Sequence, residues 1–241
     1  MEALRFILSG DTAFYKKPDV NVETYFTYNN IHKVALTGML GAILGLGGYS
    51  SGKKAGEDYP HFYTKLKNLK VAIIPNSKRG YFGKKIQYYN NSVGYANEDG
   101  GTLQVKEQWL ENPSWTIYLY NGGIENELWD LLYQRLMHGQ CTYIPYLGKN
   151  DHPAAISSLQ IVTLVPGDSL YVNSLFPSEL DNIDDLEYQT SSPFIFSEWA
   201  PYALDKDYNF YLLKRFVFTN CAIKQPIADM YQCDDKTLAF F

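Results

Sequence analysis

Between residues 78 and 89 the chain interleaves cations with aromatic rings: Lys78, Arg79, Tyr81, Phe82, Lys84, Lys85, Tyr88 and Tyr89. Lysine and arginine neutralise phosphates, and planar rings offer stacking surfaces to bases, the combination by which single-stranded RNA is usually held. This run lies in a wider basic segment. Residues 53–89 hold nine Lys or Arg, Lys53 and Lys54 among them, against only Glu57 and Asp58. The whole chain carries −5, which argues against nucleic acid, yet the sign is unevenly spread. Residues 1–150 carry sixteen basic and thirteen acidic side chains, residues 151–241 five and thirteen. A basic face for a polyanion and an acidic face for other partners follow from that division. A solvated lysine-rich surface is the plainer explanation of the same counts.

Two further groups could join the basic face. His32, Lys33 and Thr37 open a predicted helix, whose free backbone N–H groups and lysine suit a phosphate. Tyr15, Lys16 and Lys17 follow the first strand and Lys149 sits in a later turn, all in loops at strand ends.

Other chemistries lack their parts. Cys141, Cys221 and Cys233 form no CxxC pair, and His32, His61, His138 and His152 are scattered, so no zinc site is expected. There is no GxSxG and no GxxxxGK[ST], which removes the usual serine-hydrolase and P-loop readings. No cofactor is implied. The apolar run in MEALRFILSGD is too short for a signal peptide, and nothing approaches the ~20 apolar residues of a membrane span. The cytoplasm is the expected compartment.

The elements that must position these residues can be read in order. Leu4–Leu8 reads as a strand closed by Ser9-Gly10. Residues 33–46, KVALTGMLGAILGL, read as a helix capped by Asn29 or Asn30 and ended by Gly47-Gly48. Gly38, Gly41 and Gly45 lie inside it, each costing about 1 kcal/mol relative to alanine, so close packing on a sheet is expected in compensation. Leu69–Pro75 is a second strand, residues 78–110 a long hairpin with a polar loop near 90–101, and Trp115–Tyr120 a third strand. Residues 124–138 form a helix with Glu125 and Glu127 in its first turn and Arg135 and His138 in its last, as the dipole prefers. Thr142–Leu147 reads as the fourth strand. The succession β-α-β-β-α-β is that of an α+β, ferredoxin-like (RRM-like) fold with an insertion, whose sheet often binds RNA across an open face. Residues 1–155 make this unit. Residues 156–241 read as a β-rich extension on the same sheet, with strands near Leu159–Leu164 and Phe216–Phe218 and an acidic surface loop at Ser178–Thr190.

Three stretches resemble one family. They are LRFILSGDTAFYKKPDVN with HKVALTGMLGAILGLGGY, then KEQWLENPSWTIYLY, then CTYIPYLGKNDHPA, and together they cover about the first 155 residues. They are similar to the CRISPR-associated proteins of family five (Cas-five), of the repeat-associated RNA-binding (RAMP) superfamily, nearest the type I-B members. The resemblance implies a ferredoxin-like palm with a hairpin thumb, here about residues 78–110. It implies a non-catalytic subunit of a type I surveillance (Cascade) complex in antiviral defence. Its partners would be the 5′ handle of the guide RNA (crRNA), the large subunit and the terminal backbone subunit, with target DNA met only indirectly and no membrane. One branch of the family, in type I-C systems, has metal-independent endoribonuclease activity carried by a Tyr, a Lys and a His. Tyr25, His32 and Lys33 supply those residue types, a base for the 2′-OH and a cation for the phosphorane. The thumb here has no histidine, however, which departs from that branch. A protein-only scaffold is the remaining alternative.

Overall fold

The computed structural model describes residues 1–18, 23–51, 56–91, 103–184 and 192–241. Lys53, Lys54, most of the polar hairpin loop and the end of the acidic loop lie outside the described residues.

Alternation in the first residues sets the central layer. Leu4, Phe6 and Leu8 point to one side of β1 (Glu2–Ser9) and are fully buried, while Arg5 and Ile7 point to the other. Strand β1 is flanked by β6 (Ser114–Tyr120) and β7 (Ala155–Thr163), and β3 (Lys70–Pro75) pairs beyond β6. Every pairing is antiparallel, in the spatial order β3-β6-β1-β7, with Phe6 opposite Ile117 and Ile73 opposite Ile117 on its other side. Helix α1 (Lys33–Leu44) and the short α2 (His61–Leu66) lie between β1 and β3, and α3 (Asn126–Met137) lies between β6 and β7. The chain is an α+β protein.

The fourth strand is β7, not the predicted Thr142–Leu147. Pro145 cannot donate in a ladder, and the segment has another task. The amides of Thr142 and Tyr143 donate to the carbonyls of Ile43 and Ala42, and the Arg135 guanidinium donates to Ile43 as well. They satisfy the end of α1, whose last carbonyls have no partner within the helix. Gly45, at φ 78°, forms the left-handed cap two residues before the predicted Gly47-Gly48 stop.

The helix glycines serve a helix, not the sheet. A side chain on Gly41 would meet Phe62 Cβ of α2 at 2.6 Å, and one on Gly38 would meet the Phe62 ring at 3.6 Å. Close contact between α1 and α2 offsets the helical cost of these glycines.

The second face of the central sheet is covered in part. Strands β8 (Val165–Pro166), β12 (Met230–Cys233) and β13 (Lys236–Ala239) form a small sheet that lays Leu238 and Phe240 against Ala3, Tyr118 and Tyr120. Among the described residues the C-terminal segment thus buries the tyrosines of this face, while Arg5, Ile7 and Gln160, beside them, stay partly exposed. A third sheet, β10 (Ile195–Leu204), β11 (Tyr211–Thr219) and β9 (Phe176–Pro177), packs Ala200 and Phe216 into the main core. The hairpin, β4 (Gly83–Asn91) with β5 (Leu103–Glu111), projects from this body, and the two-residue β2 (Thr12–Ala13) pairs along β5.

Candidate nucleic-acid interface

A large concave surface lies along the outer side of α1. A cleft of about 950 Å³ runs there between Gly38 and Ala42 of the helix, the turn carrying Tyr143 and Tyr146, and the root of the hairpin at Lys149 and Glu107. Tyr143 is 61% exposed and Tyr146 45%. The small residues on the helix leave the floor low, and the rings stand at the rim. These two tyrosines were missed by the sequence reading, which placed them within a strand; Pro145 between them was the signal.

Lysines frame the same cleft. Lys16 holds its ammonium 3.7 Å from the centre of the Tyr25 ring, in the range of a cation–π contact. Lys149 donates to both Glu107 carboxylate oxygens, at 3.1 and 3.2 Å, and to the Tyr89 hydroxyl, which itself donates to Glu107 at 2.8 Å. Trp109 Nε1 also donates to Glu107. Burial depresses the Lys149 ammonium, but Tyr89 and Glu107 outweigh it and hold its pKa above the usual lysine value. The Glu107 side chain is 6% exposed, so this carboxylate is the hub that fastens the hairpin to the 146–153 turn. Nothing short-range in the sequence marks it, since its partners lie up to 42 residues away.

The remaining predicted residues divide. Lys78, Arg79, Tyr81, Lys84 and Tyr88 are exposed at the hairpin, and Lys85 and Tyr89 are half-buried on its inner face beside Trp109 and Lys149. Lys17 is salt-bridged to Glu198 at 3.0 Å. Four of the expected contacts are corrected. Phe82 is 7% exposed and meets Trp115 edge-on, so its ring is a core group and not a stacking platform. Tyr15 is 3% exposed, its ring edge-on to His32 and Trp115. Thr37 is fully buried and spends its hydroxyl on the carbonyls of Lys33 and Val34. Lys33 is 8% exposed and turns into a small cavity beside Leu175 and Phe241. Burial, with Lys70 and Lys214 adding repulsion, pushes its pKa down to about 8. Nor is the basic segment one face: Lys65 pairs with Glu125, Lys70 with Asp229, and Lys67 lies over Tyr59.

His32 has a structural post. Its Nδ1 accepts the Ala35 amide at 3.2 Å, capping α1, and its ring is edge-on to Tyr15, Tyr28 and Tyr211. Tyr25 instead bonds through its backbone to Lys106 and Gln108 of β5, and among the described residues no contact joins its ring to His32. Burial pushes the His32 pKa down to about 3. The unfolded chain, near the ordinary histidine value of about 6.5, therefore binds a proton between those values that the folded chain refuses. Stability is present above about pH 6.5 and drains away as the pH falls towards 3. We expect the melting temperature to drop between pH 7 and pH 5, and His32→Asn, which keeps a capping oxygen, to flatten that slope. An unchanged slope in the variant, read by calorimetry, would remove His32 as its source.

Among the described residues no group of three His, Cys, Asp or Glu side chains is placed to hold a metal, and no helix is long and apolar enough to cross a membrane.

The architecture is thus an α+β body with a projecting hairpin and a cleft of lysine and tyrosine. Solved structures share this fold. A chain of a CRISPR RNA-guided surveillance complex matches with a TM-score of 0.52 at 11% identity, over 92% of this chain and 91% of that one. A CRISPR protein from Archaeoglobus fulgidus matches with a TM-score of 0.50 at 13% identity, over 99% and 98%. At such identities the likeness is one of fold. No protein-family model matches the sequence, and no curated protein matches it.

Proposed function

We propose that this chain is an RNA-binding subunit of a CRISPR surveillance complex of the Cascade kind, and that it holds the 5′ handle of the guide RNA without cutting it. The observation that carries the reading is the cleft along α1, lined by exposed Tyr143 and Tyr146 together with Lys16 and Lys149. Rings and cations lining one groove suit a single strand, whose bases stack while its phosphates are neutralised. Fold likeness along nearly the whole chain to a chain of an RNA-guided complex supports the assembly. The strand order β3-β6-β1-β7 with a helix in each crossover supports reading the body as a ferredoxin-like palm and the β4–β5 hairpin as its thumb. The large subunit and the terminal backbone subunit of such a complex are the protein partners the reading names.

Non-catalytic holding is favoured by the positions of the candidate catalytic residues. A 2′-OH cleavage needs a base within hydrogen-bond reach of the hydroxyl and a cation at the phosphorane. His32 is committed to its cap, Lys33 faces away into the core, and Tyr25 lies along β5. The test is a denaturing gel of the purified protein with labelled repeat RNA in EDTA, beside a binding assay on the mature handle. Binding with intact RNA is the expected result. A single clean cut would overturn the non-catalytic reading.

A further inference from the structure

A second groove, of about 710 Å³, opens on the other side of the hairpin root, between Tyr81 and Lys84 below and Phe196 to Trp199 of β10 above. Lys16 and Lys17 explain how the two concavities are divided. They are consecutive residues of an extended segment, whose side chains point to opposite sides; Lys16 lines the α1 cleft and Lys17 lines this groove. Two large rings border it half-exposed, Tyr81 at 56% and Trp199 at 49%.

The cations of the chain differ in how they are paired. Lys65, Lys70, Lys149, Lys206 and Lys236 each have a carboxylate within 4 Å. Lys78, Arg79 and Lys84, at this root, have none among the described residues. The carboxylate that does line the groove, Glu198, is consumed by its own wall: one oxygen takes Lys17 at 3.0 Å and the other accepts the Asn29 amide at 2.9 Å. Arg215 lies 5.1 Å from the centre of the Trp199 ring and is itself paired with Glu179 at 3.4 Å. What remains is Lys84, which has no carboxylate within 4 Å among the described residues, beside two exposed rings, with Lys78 and Arg79 close by in the chain; this fits an anionic, planar ligand and not an acidic peptide's apolar face.

We propose that this groove is a second site for single-stranded RNA, with bases stacked on Tyr81 and Trp199 and phosphates met by Lys84, Lys78 and Arg79. It rests on the RNA-binding reading above and extends it: the strand is held on both sides of the hairpin root, not in the α1 cleft alone.

The test is photo-cross-linking of the full chain to a single-stranded oligonucleotide carrying 5-iodouridine at every uridine, with adducts mapped by mass spectrometry. Adducts are expected both near Tyr143 and Tyr146 and at Tyr81 and Trp199. In Trp199→Ala and Lys84→Glu the groove adducts should fall about tenfold, the loss of a stacked base or a phosphate contact, while the cleft adducts persist. These side chains are exposed, so neither variant should disturb folding. Cleft adducts with none in the groove overturn this proposal and leave the RNA reading standing, whether the groove is empty or takes an extended peptide along β10. No adducts anywhere overturn both.

Discussion

Replacing Tyr143 and Tyr146 together with alanine should weaken binding of a single-stranded handle RNA by tenfold or more. Each stacked base is worth ~1–3 kcal/mol, and about 1.4 kcal/mol is a factor of ten. Both rings are exposed, so the variant should melt with the parent protein, and the loss can then be assigned to the cleft. The structural work of this turn is done by backbone, through the amides of Thr142 and Tyr143 on the carbonyls of α1, and an alanine keeps its amide. Fluorescence anisotropy with a labelled oligonucleotide, beside a thermal melt, reads both quantities. Unchanged affinity would move the RNA out of the cleft.

The second large effect should come from Glu107→Ala. This carboxylate accepts from Lys149, Tyr89 and Trp109; its removal takes the acceptor from Tyr89 and Trp109 and leaves Lys149 with Asp151 at 3.5 Å and the Tyr89 oxygen. A buried donor without a partner costs about 1–3 kcal/mol. The Lys149 side chain is 34% exposed, so water recovers part of that loss, and a net cost of about 2 kcal/mol is reasonable. For a chain of this length that corresponds to a fall of roughly 5 °C in melting temperature. Glu107→Gln keeps an acceptor for Lys149 and should lose less. The hairpin should also loosen from the 146–153 turn, read as faster amide exchange in β5. A variant as stable as the parent would mean that the hub contributes little.

The parts of the fold that were legible rest on local periodicity. Leu4, Phe6 and Leu8 alternate as a strand with one buried face must, and the 33–44 helix and the 83–111 hairpin stand within a few residues of where capping and turn residues put them. What failed depends on long-range packing. Thr142–Leu147 alternates like a strand but has no neighbour to pair with, so its amides serve the end of α1. Phe82 and Tyr15 are aromatic residues flanked by cations in sequence, yet Trp115 takes both into the core. The cover over Tyr118 and Tyr120 depends on residues 230–240 returning to that face of the sheet, which no short-range pattern announces.

The candidate site followed the same division. The richness in lysine and tyrosine was plain, but charge counted along the sequence merged groups that the fold separates. Lys65 belongs to α2, Lys67 to the short link after it and Lys70 to β3, and they are engaged with Glu125, Tyr59 and Asp229. Lys78, Arg79 and Lys84 stand at the hairpin root with no carboxylate within 4 Å among the described residues. Tyr143, Tyr146 and Glu107, which shape the cleft, were hidden by a strand assignment and by the distance of their partners.

The measurement that bears most directly on the central claim is equilibrium binding of the guide-RNA 5′ handle, single-stranded and as a duplex with its complement, over a series of salt concentrations. The account predicts preference for the single strand and an affinity that falls steeply with salt as phosphate contacts release counterions. Equal binding of the duplex, or no binding of either at low salt, would contradict it.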